Sequence, residues 1–166
     1  MSDLYHTLDE VLILKIKLYG EIIEVMNEEW NSITDYSRER LESALERKEL
    51  LLAKVHELNL KREDIVRTFA EKLGRPQTEV TLKTIIDLKD NLFGTRMSDH
   101  RETIRGQIKT INELNASNKQ LINRSALAMK QSMLWLYEVD TDYTPYYANG
   151  QLSEPAMESR VVNTDI

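Results

Sequence analysis

The sequence is organised around residues 113–136, which read ELNASNKQLINRSALAMKQSMLWL. With the residues before them, they predict one long helix, because positions in alternating steps of four and three residues form a single stripe along a helix. The first part of this stripe is apolar, and asparagine, serine and methionine follow. Its members are Ile104, Ile108, Ile111, Asn115, Asn118, Ile122, Ser125, Met129, Ser132 and Leu136.

Two asparagines, Asn115 and Asn118, stand where a buried stripe usually carries Leu or Ile. A buried amide without a hydrogen-bond partner is costly, so these side chains either fix one register of helix packing or face a partner. Small and methionine side chains follow, and methionine is common on surfaces that accept varied partners. The pattern predicts a groove for a partner's amphipathic helix. Its expected contact residues are Asn115, Asn118, Leu121, Ile122, Ser125, Met129 and Met133.

The same segment resembles a known protein family. Asn115 and Asn118, followed by residues 121–122 and 125–127, resemble the N-x-x-N-x-x-LI-x-x-SL pattern of FlgN-type flagellar export chaperones. The later segment YTPYYANG (143–150) is similar to a Tyr-to-Gly turn of that family. The resemblance implies a chaperone that binds the C-terminal helices of hook-filament junction proteins and prevents their premature assembly. It also implies delivery of these clients to the cytosolic domain of the flagellar export gate.

Another interpretation is a structural coiled-coil adaptor that self-associates through the same stripe. A homotypic coiled coil usually keeps Leu or Ile at most inner positions and tolerates one Asn. The polar and small residues of the stripe therefore favour the chaperone over the adaptor.

Composition favours a helical protein of the cytoplasm. The 166 residues include 5 Gly and 3 Pro, carry a net charge of −6 and contain no Cys. Few Gly and Pro favour long helices, and the acidic balance argues against nucleic-acid binding. The lack of Cys excludes thiol catalysis and fits a reducing compartment. Residues 1–10 lack the positive charge of a signal peptide, and no apolar run is long enough to predict membrane insertion.

The sequence contains no recognisable catalytic or cofactor motif. His6, His56 and His100 lie far apart, and none follows a Glu by three residues, as the Glu-x-x-His ligands of di-iron bundles do. There is no glycine-rich phosphate loop and no G-x-S-x-G nucleophile motif. We therefore expect no enzyme activity, no catalytic residue, no metal and no cofactor.

The predicted fold is all-α: an elongated, mostly antiparallel bundle with a left-handed twist, formed by residues 1–140. A turn at 34–37 is favoured over one continuous helix, because a helix over 4–73 would be about 100 Å long and would need its own partner. Apolar residues at helical spacing predict three long helices and one shorter helix. Their expected bounds are 3–33, 37–73, 78–92 and 97–140.

Residues 141–166 are predicted to form a mobile tail, because Pro145 bars extension of the last helix. The tail begins with Tyr143, Tyr146 and Tyr147, and tyrosine is enriched among interface anchors. These side chains either fold back on the end of the bundle or bind a partner. The family resemblance implies that this partner is the export gate.

Overall fold

The computed structural model describes the backbone of residues 1–141 and the side chains of residues 1–136. Residues 1–141 contain helices and no strand, which confirms the predicted all-α class with three long helices. The tail tyrosines Tyr143, Tyr146 and Tyr147 lie outside the described residues. The long helices are α1 (Ser2–Thr34), α2 (Arg38–Leu73) and α4 (Gly94–Thr141), and the short α3 spans Leu82–Ile86.

Contacts divide the chain into an N-terminal unit, Met1–Ile122, and a C-terminal unit, Asn123–Ile166. The N-terminal unit contains α1, α2, α3 and the first part of α4. Among the described helices, none is long and apolar enough to cross a membrane. Within residues 1–136 there is also no group of three His, Asp or Glu side chains placed to hold a metal ion.

The turn between α1 and α2 confirms the break predicted at 34–37. The Asp35 amide donates to the carbonyl of Asn31 (2.8 Å), and Tyr36 takes a positive φ of 53°. Ser37 is extended, and its side chain makes no capping hydrogen bond. The Asp35 carboxylate instead accepts a hydrogen bond from Arg40 (2.8 Å). The left-handed backbone at Tyr36 costs about 1–2 kcal/mol for a non-glycine residue, so the packing of the two helices must stabilise this reversal.

Helices α1 and α2 pack antiparallel. Lys48 pairs with Glu29 (2.6 Å) near the turn, and Lys15 donates to Asn59 (2.8 Å) further away. An apolar face extends along most of α1, and its members recur every three or four residues, as one side of a helix requires. Its most deeply buried members are Tyr5, Leu8, Val11, Leu12, Ile22, Val25 and Met26.

Two clusters of buried side chains form the core of the N-terminal unit. In the first, Leu8 of α1, Phe69 of α2, Ile85 of α3 and Met97 of α4 are fully buried. This cluster therefore joins all four helices. The second cluster lies nearer the α1–α2 turn and consists of Ile22, Val25, Met26, Ala44, Leu51 and Val55, with Ile111 and Leu114 of α4 packed against it.

The connection from α2 to α4 differs from the single helix predicted at 78–92. Gly74 ends α2 with a left-handed φ of 62°, as a glycine before a proline predicts. A 3₁₀ turn (Gln77–Glu79) follows, and Thr81 then begins α3 with a capping box. Asn91 ends this region, because its side chain donates to the carbonyl of Ile85 (3.1 Å) and accepts from the amide of Phe93 (2.9 Å). Irregular turns, linked back to α3 by this side chain, therefore take the place of the last turns of the expected helix.

Tyr5 links α1 to this connection. Its ring lies 5.1 Å from the ring of Phe69, and its hydroxyl donates to Oδ1 of Asp90 (2.9 Å). Burial, together with the hydrogen bond to Asp90 and the negative charge of Asp90, raises the pKa of Tyr5 from 10.0 to about 12.

The raised pKa of Tyr5 predicts a specific loss of stability in alkali. The unfolded tyrosine releases its proton at a lower pH than the folded one, so Tyr5 contributes stability below pH 10.0 that is lost as the pH rises towards about 12. The variant Tyr5→Phe lacks this ionisation, and its free energy of unfolding should fall less steeply over that range. Urea unfolding at several pH values checks this. An equal pH dependence of the two proteins would contradict it.

Candidate functional site

The inner face of α4 keeps the predicted spacing in the N-terminal unit but uses different residues. In the predicted stripe, Ile108, Asn115 and Ile122 occupied inner positions. In the structure these three side chains are exposed, and Ile108 and Ile122 are 40% and 43% exposed. The prediction of this face was therefore wrong at three positions, where the residue one place earlier in the sequence is the more buried one. The inner positions belong instead to Met97, Ile104, Gln107, Ile111, Leu114, Asn118 and Leu121.

Hydrogen bonds from two amide side chains explain this rotation of α4. Nε2 of Gln107 donates to the carbonyl of Ile16 (2.9 Å), and Nδ2 of Asn118 donates to the carbonyl of Met26 (3.0 Å). Asn118 is 2% exposed, and Gln107 is partly buried. A buried amide is tolerated only where it finds a partner. For Asn118 the structure therefore supports the first of the two interpretations, a fixed register of helix packing.

A buried carboxylate makes a further link between α1 and α4. Asp9 is 1% exposed, and its Oδ2 accepts a hydrogen bond from Arg96. Nε2 of His100 lies 3.6 Å from Oδ1 of the same carboxylate. Asp9, Ile16 and Met26 of α1 contact residues of α4 whose residue numbers increase in the same order, so α1 and α4 run parallel. This parallel pair is the consequence of an up-down-up order of three long helices.

In the C-terminal unit, residues 123–136 present apolar side chains to solvent on several sides of the helix. Every side chain of this range is exposed except that of Ser125, which is half-buried. Arg124 and Lys130 are its only charged residues. We call residues 123–136 the exposed apolar segment. Its large side chains range from 48% to 70% exposed and are Leu127, Met129, Met133, Leu134, Trp135 and Leu136.

The exposed apolar segment has the character of an interaction surface. A helix that is apolar around its circumference is normally buried. Six large side chains, each about half exposed, amount to roughly several hundred Å² of apolar area, the size at which a patch marks a site of protein interaction. Gln131, Ser132, Trp135 and Leu136 line a shallow groove within it. The described atoms of this segment therefore offer a binding surface and no arrangement of catalytic groups.

Comparison with known protein families identifies the chain. The family model of the FlgN protein matches residues 1–154, which is nearly the whole sequence. The chain belongs to the FlgN family. FlgN proteins are flagellar export chaperones, so the protein is a chaperone of this export system and its family is not an enzyme family. No curated protein and no solved structure matches the chain significantly.

The seven contact residues predicted for this FlgN chain fall into two groups. In the N-terminal unit, Asn115 and Ile122 are exposed, Leu121 is half-buried and Asn118 is buried against α1. The other three belong to the exposed apolar segment and are Ser125, Met129 and Met133.

The seven predicted contact residues leave out four large side chains of the exposed apolar segment. Three of them lie off the predicted stripe, because a heptad stripe follows only one face of a helix, whereas this segment is apolar on several faces; the fourth, Leu136, is a member of the stripe that was not predicted to contact a client. The signal that could have found them is the presence of two charges among fourteen residues. The missed residues are Leu127, Leu134, Trp135 and Leu136.

A pair of asparagine variants separates packing from binding in this FlgN chain. Asn118→Ala removes the hydrogen bond to Met26 and leaves a small cavity between α1 and α4, so it should lower the free energy of unfolding by about 1–2 kcal/mol. Asn115→Ala, on the exposed face three residues earlier, should change it by less than about 0.5 kcal/mol. Urea unfolding of both variants provides the measurement. Equal stability of the two would show that the Asn118 amide does not hold the register.

Proposed function

We propose that this FlgN-family chain acts in the cytoplasm and binds the C-terminal helices of hook-filament junction proteins. Binding keeps these clients from assembling prematurely and carries them to the export gate. The observation that supports this most strongly is the exposed apolar segment, since exposed apolar surfaces of this size mark sites of protein interaction. Family membership supports the kind of partner, because the family consists of flagellar export chaperones.

The proposed contact is helix-in-groove packing against the exposed apolar segment. An amphipathic client helix buries its apolar stripe on such a surface. Met129 and Met133 are more than half exposed, and the unbranched methionine side chain adapts to different shapes. Ser125, Ala128 and Ser132 are small, so a client helix can approach the backbone between the methionines. The pattern suits one surface that accepts more than one client.

Met129 offers the sharpest test of this client surface. It is 70% exposed, so Met129→Lys should leave the free energy of unfolding nearly unchanged. The same change should weaken client binding by more than about 2 kcal/mol, or roughly thirty-fold in Kd, because it places a charge in the apolar contact. Calorimetric titration with a hook-filament junction protein measures the affinity.

Leu50→Lys is the matched control for Met129→Lys. Leu50 lies on α2 and is 65% exposed, so this variant should bind the client like the unchanged protein. Unaltered affinity of Met129→Lys would contradict the proposed surface. A stable dimer that Met129→Lys dissociates, in a protein that binds no client, would favour the coiled-coil adaptor.

We further propose that Tyr143, Tyr146 and Tyr147 dock the chaperone on the export gate. Three tyrosines follow α4 within five positions, and tyrosine gives a large contact area at a small entropic cost. Pro145 fixes one backbone angle between them, which reduces the entropy lost when the segment binds. This arrangement supports a short recognition element separate from the client surface.

The triple variant of these tyrosines to Ala tests the docking element. We expect lost binding to the cytosolic domain of the export gate, with unchanged melting temperature and client affinity, because a docking element separate from the client surface contributes to neither. Surface plasmon resonance with the isolated gate domain and thermal unfolding provide the two measurements. A clear drop in melting temperature with gate binding intact would assign the tyrosines to the bundle instead.

A further inference from the structure

The charges of the exposed apolar segment carry information about its partner. Arg124 and Lys130 are its only charged residues, and both are basic, although the whole chain has a net charge of −6. Both are exposed, and neither makes an ion pair within residues 1–136. Both charges that residues 123–136 bring to the proposed client surface are therefore positive, and the acidic residues of α4 nearest to it, Glu138 and Asp140, follow beyond this segment.

The two basic residues stand at opposite borders of one broad apolar arc. At about 100° per residue, Lys130 lies roughly 240° around the helix from Arg124. The arc between them contains Ala, Ser, Met, Trp and Leu side chains and no charge. Along the axis the two residues are about 9 Å apart, since a helix rises 1.5 Å per residue. The residues of this arc are Ser125, Ala126, Ala128, Met129, Ser132, Met133, Trp135 and Leu136.

We propose that the partner of this surface is an amphipathic helix with acidic side chains on both edges of its apolar stripe. The inference rests on the proposed function and specifies the chemistry of the client. When such a helix packs on the arc, its edges lie near Arg124 and Lys130, where carboxylates are attracted and ammonium groups are repelled. Charges at the border of an interface contribute chiefly to the choice of partner and to the rate of association.

The same charges disfavour a second copy of this chain as the occupant. A second exposed apolar segment would bring its own Arg124 and Lys130 to a surface that already carries two positive charges. Like charges brought together at an interface exclude wrong partners. Within residues 123–136 a second copy therefore offers Arg124 and Lys130 no acidic partner, whereas the acidic-edged helix does.

Two synthetic peptides of about twenty residues test the proposal, a length that gives roughly 30 Å of helix. Both carry the same Leu and Ile stripe, and the residues on either side of the stripe are Glu in one peptide and Lys in the other. The full chain is used with Trp30→Phe, so that Trp135, 48% exposed within the arc, reports binding by its fluorescence. The Glu peptide should bind about ten-fold more tightly at low salt. The difference should shrink as salt rises.

Charge reversal on the chaperone should reverse this preference. The double variant Arg124→Glu with Lys130→Glu is expected to bind the Lys peptide more tightly than the Glu peptide. The double variant Lys54→Glu with Lys61→Glu makes the same change in net charge on exposed positions of α2, and it should keep the preference of the unchanged protein. A shift of equal size in both variants would assign the effect to net charge and overturn the proposal.

The outcomes for the two proposals are distinguishable. Equal binding of both peptides, with binding lost in Met129→Lys, would overturn the acidic edges and leave the client surface in place. Failure of the unchanged protein to bind either peptide would overturn the client surface as well.

Discussion

The structure of the N-terminal unit depends on hydrogen bonds from two amide side chains of α4 to main-chain carbonyls of α1. Gln107 and Asn118, eleven residues apart along α4, donate to the carbonyl oxygens of Ile16 and Met26, ten residues apart along α1. An apolar side chain packs in several rotations of a helix, whereas a buried amide nitrogen finds its acceptor in few of them. These two bonds therefore select the rotation of α4. Asp9, buried against Arg96 and His100, selects the same register near the start of the helix.

Because hydrogen bonds select the rotation of α4, the sequence predicted the fold better than the site. The positions of the helices could be predicted because buried residues recur at helical spacing whether they are aliphatic or amide side chains. The end of α2 could be predicted because Gly74 adopts the left-handed backbone conformation that glycine favours. The inner face of α4 could not be predicted in the same way. A stripe that steps four residues from Ile104 selects the apolar Ile108, whereas the more buried position is one residue earlier, at the polar Gln107. A hydrogen bond between residues 91 positions apart has no signature in local spacing. α3 is also shorter than predicted, and after its end at Ile86 the Asn91 side chain hydrogen-bonds the carbonyl of Ile85.

Apolar side chains serve two different purposes in this chain: some form the core, and others remain exposed. Leu8, Phe69, Ile85 and Met97 are fully buried and join four helices into one core. Leu127, Met129 and Trp135 are about half exposed or more, and so contribute little to the free energy of folding. Burial of a large apolar side chain is worth about 1.5–3 kcal/mol, and the exposed apolar segment leaves much of this energy available for a partner. An apolar surface of this kind is stable in a chaperone because the fold does not depend on covering it.

The proposed delivery of a client also requires its release, and the composition of the exposed apolar segment suits this requirement. Large rigid anchors in deep pockets give slow dissociation. Ser125, Ala128 and Ser132 bury little area, and methionine loses several rotatable bonds on contact. At these small and methionine positions the free energy gained per residue on binding is therefore smaller than at a Leu position. Selectivity then has to come from elsewhere, and Arg124 and Lys130 can supply it at the borders, where charges discriminate between partners without requiring tight binding. Moderate apolar affinity with charged edges permits both recognition and hand-over.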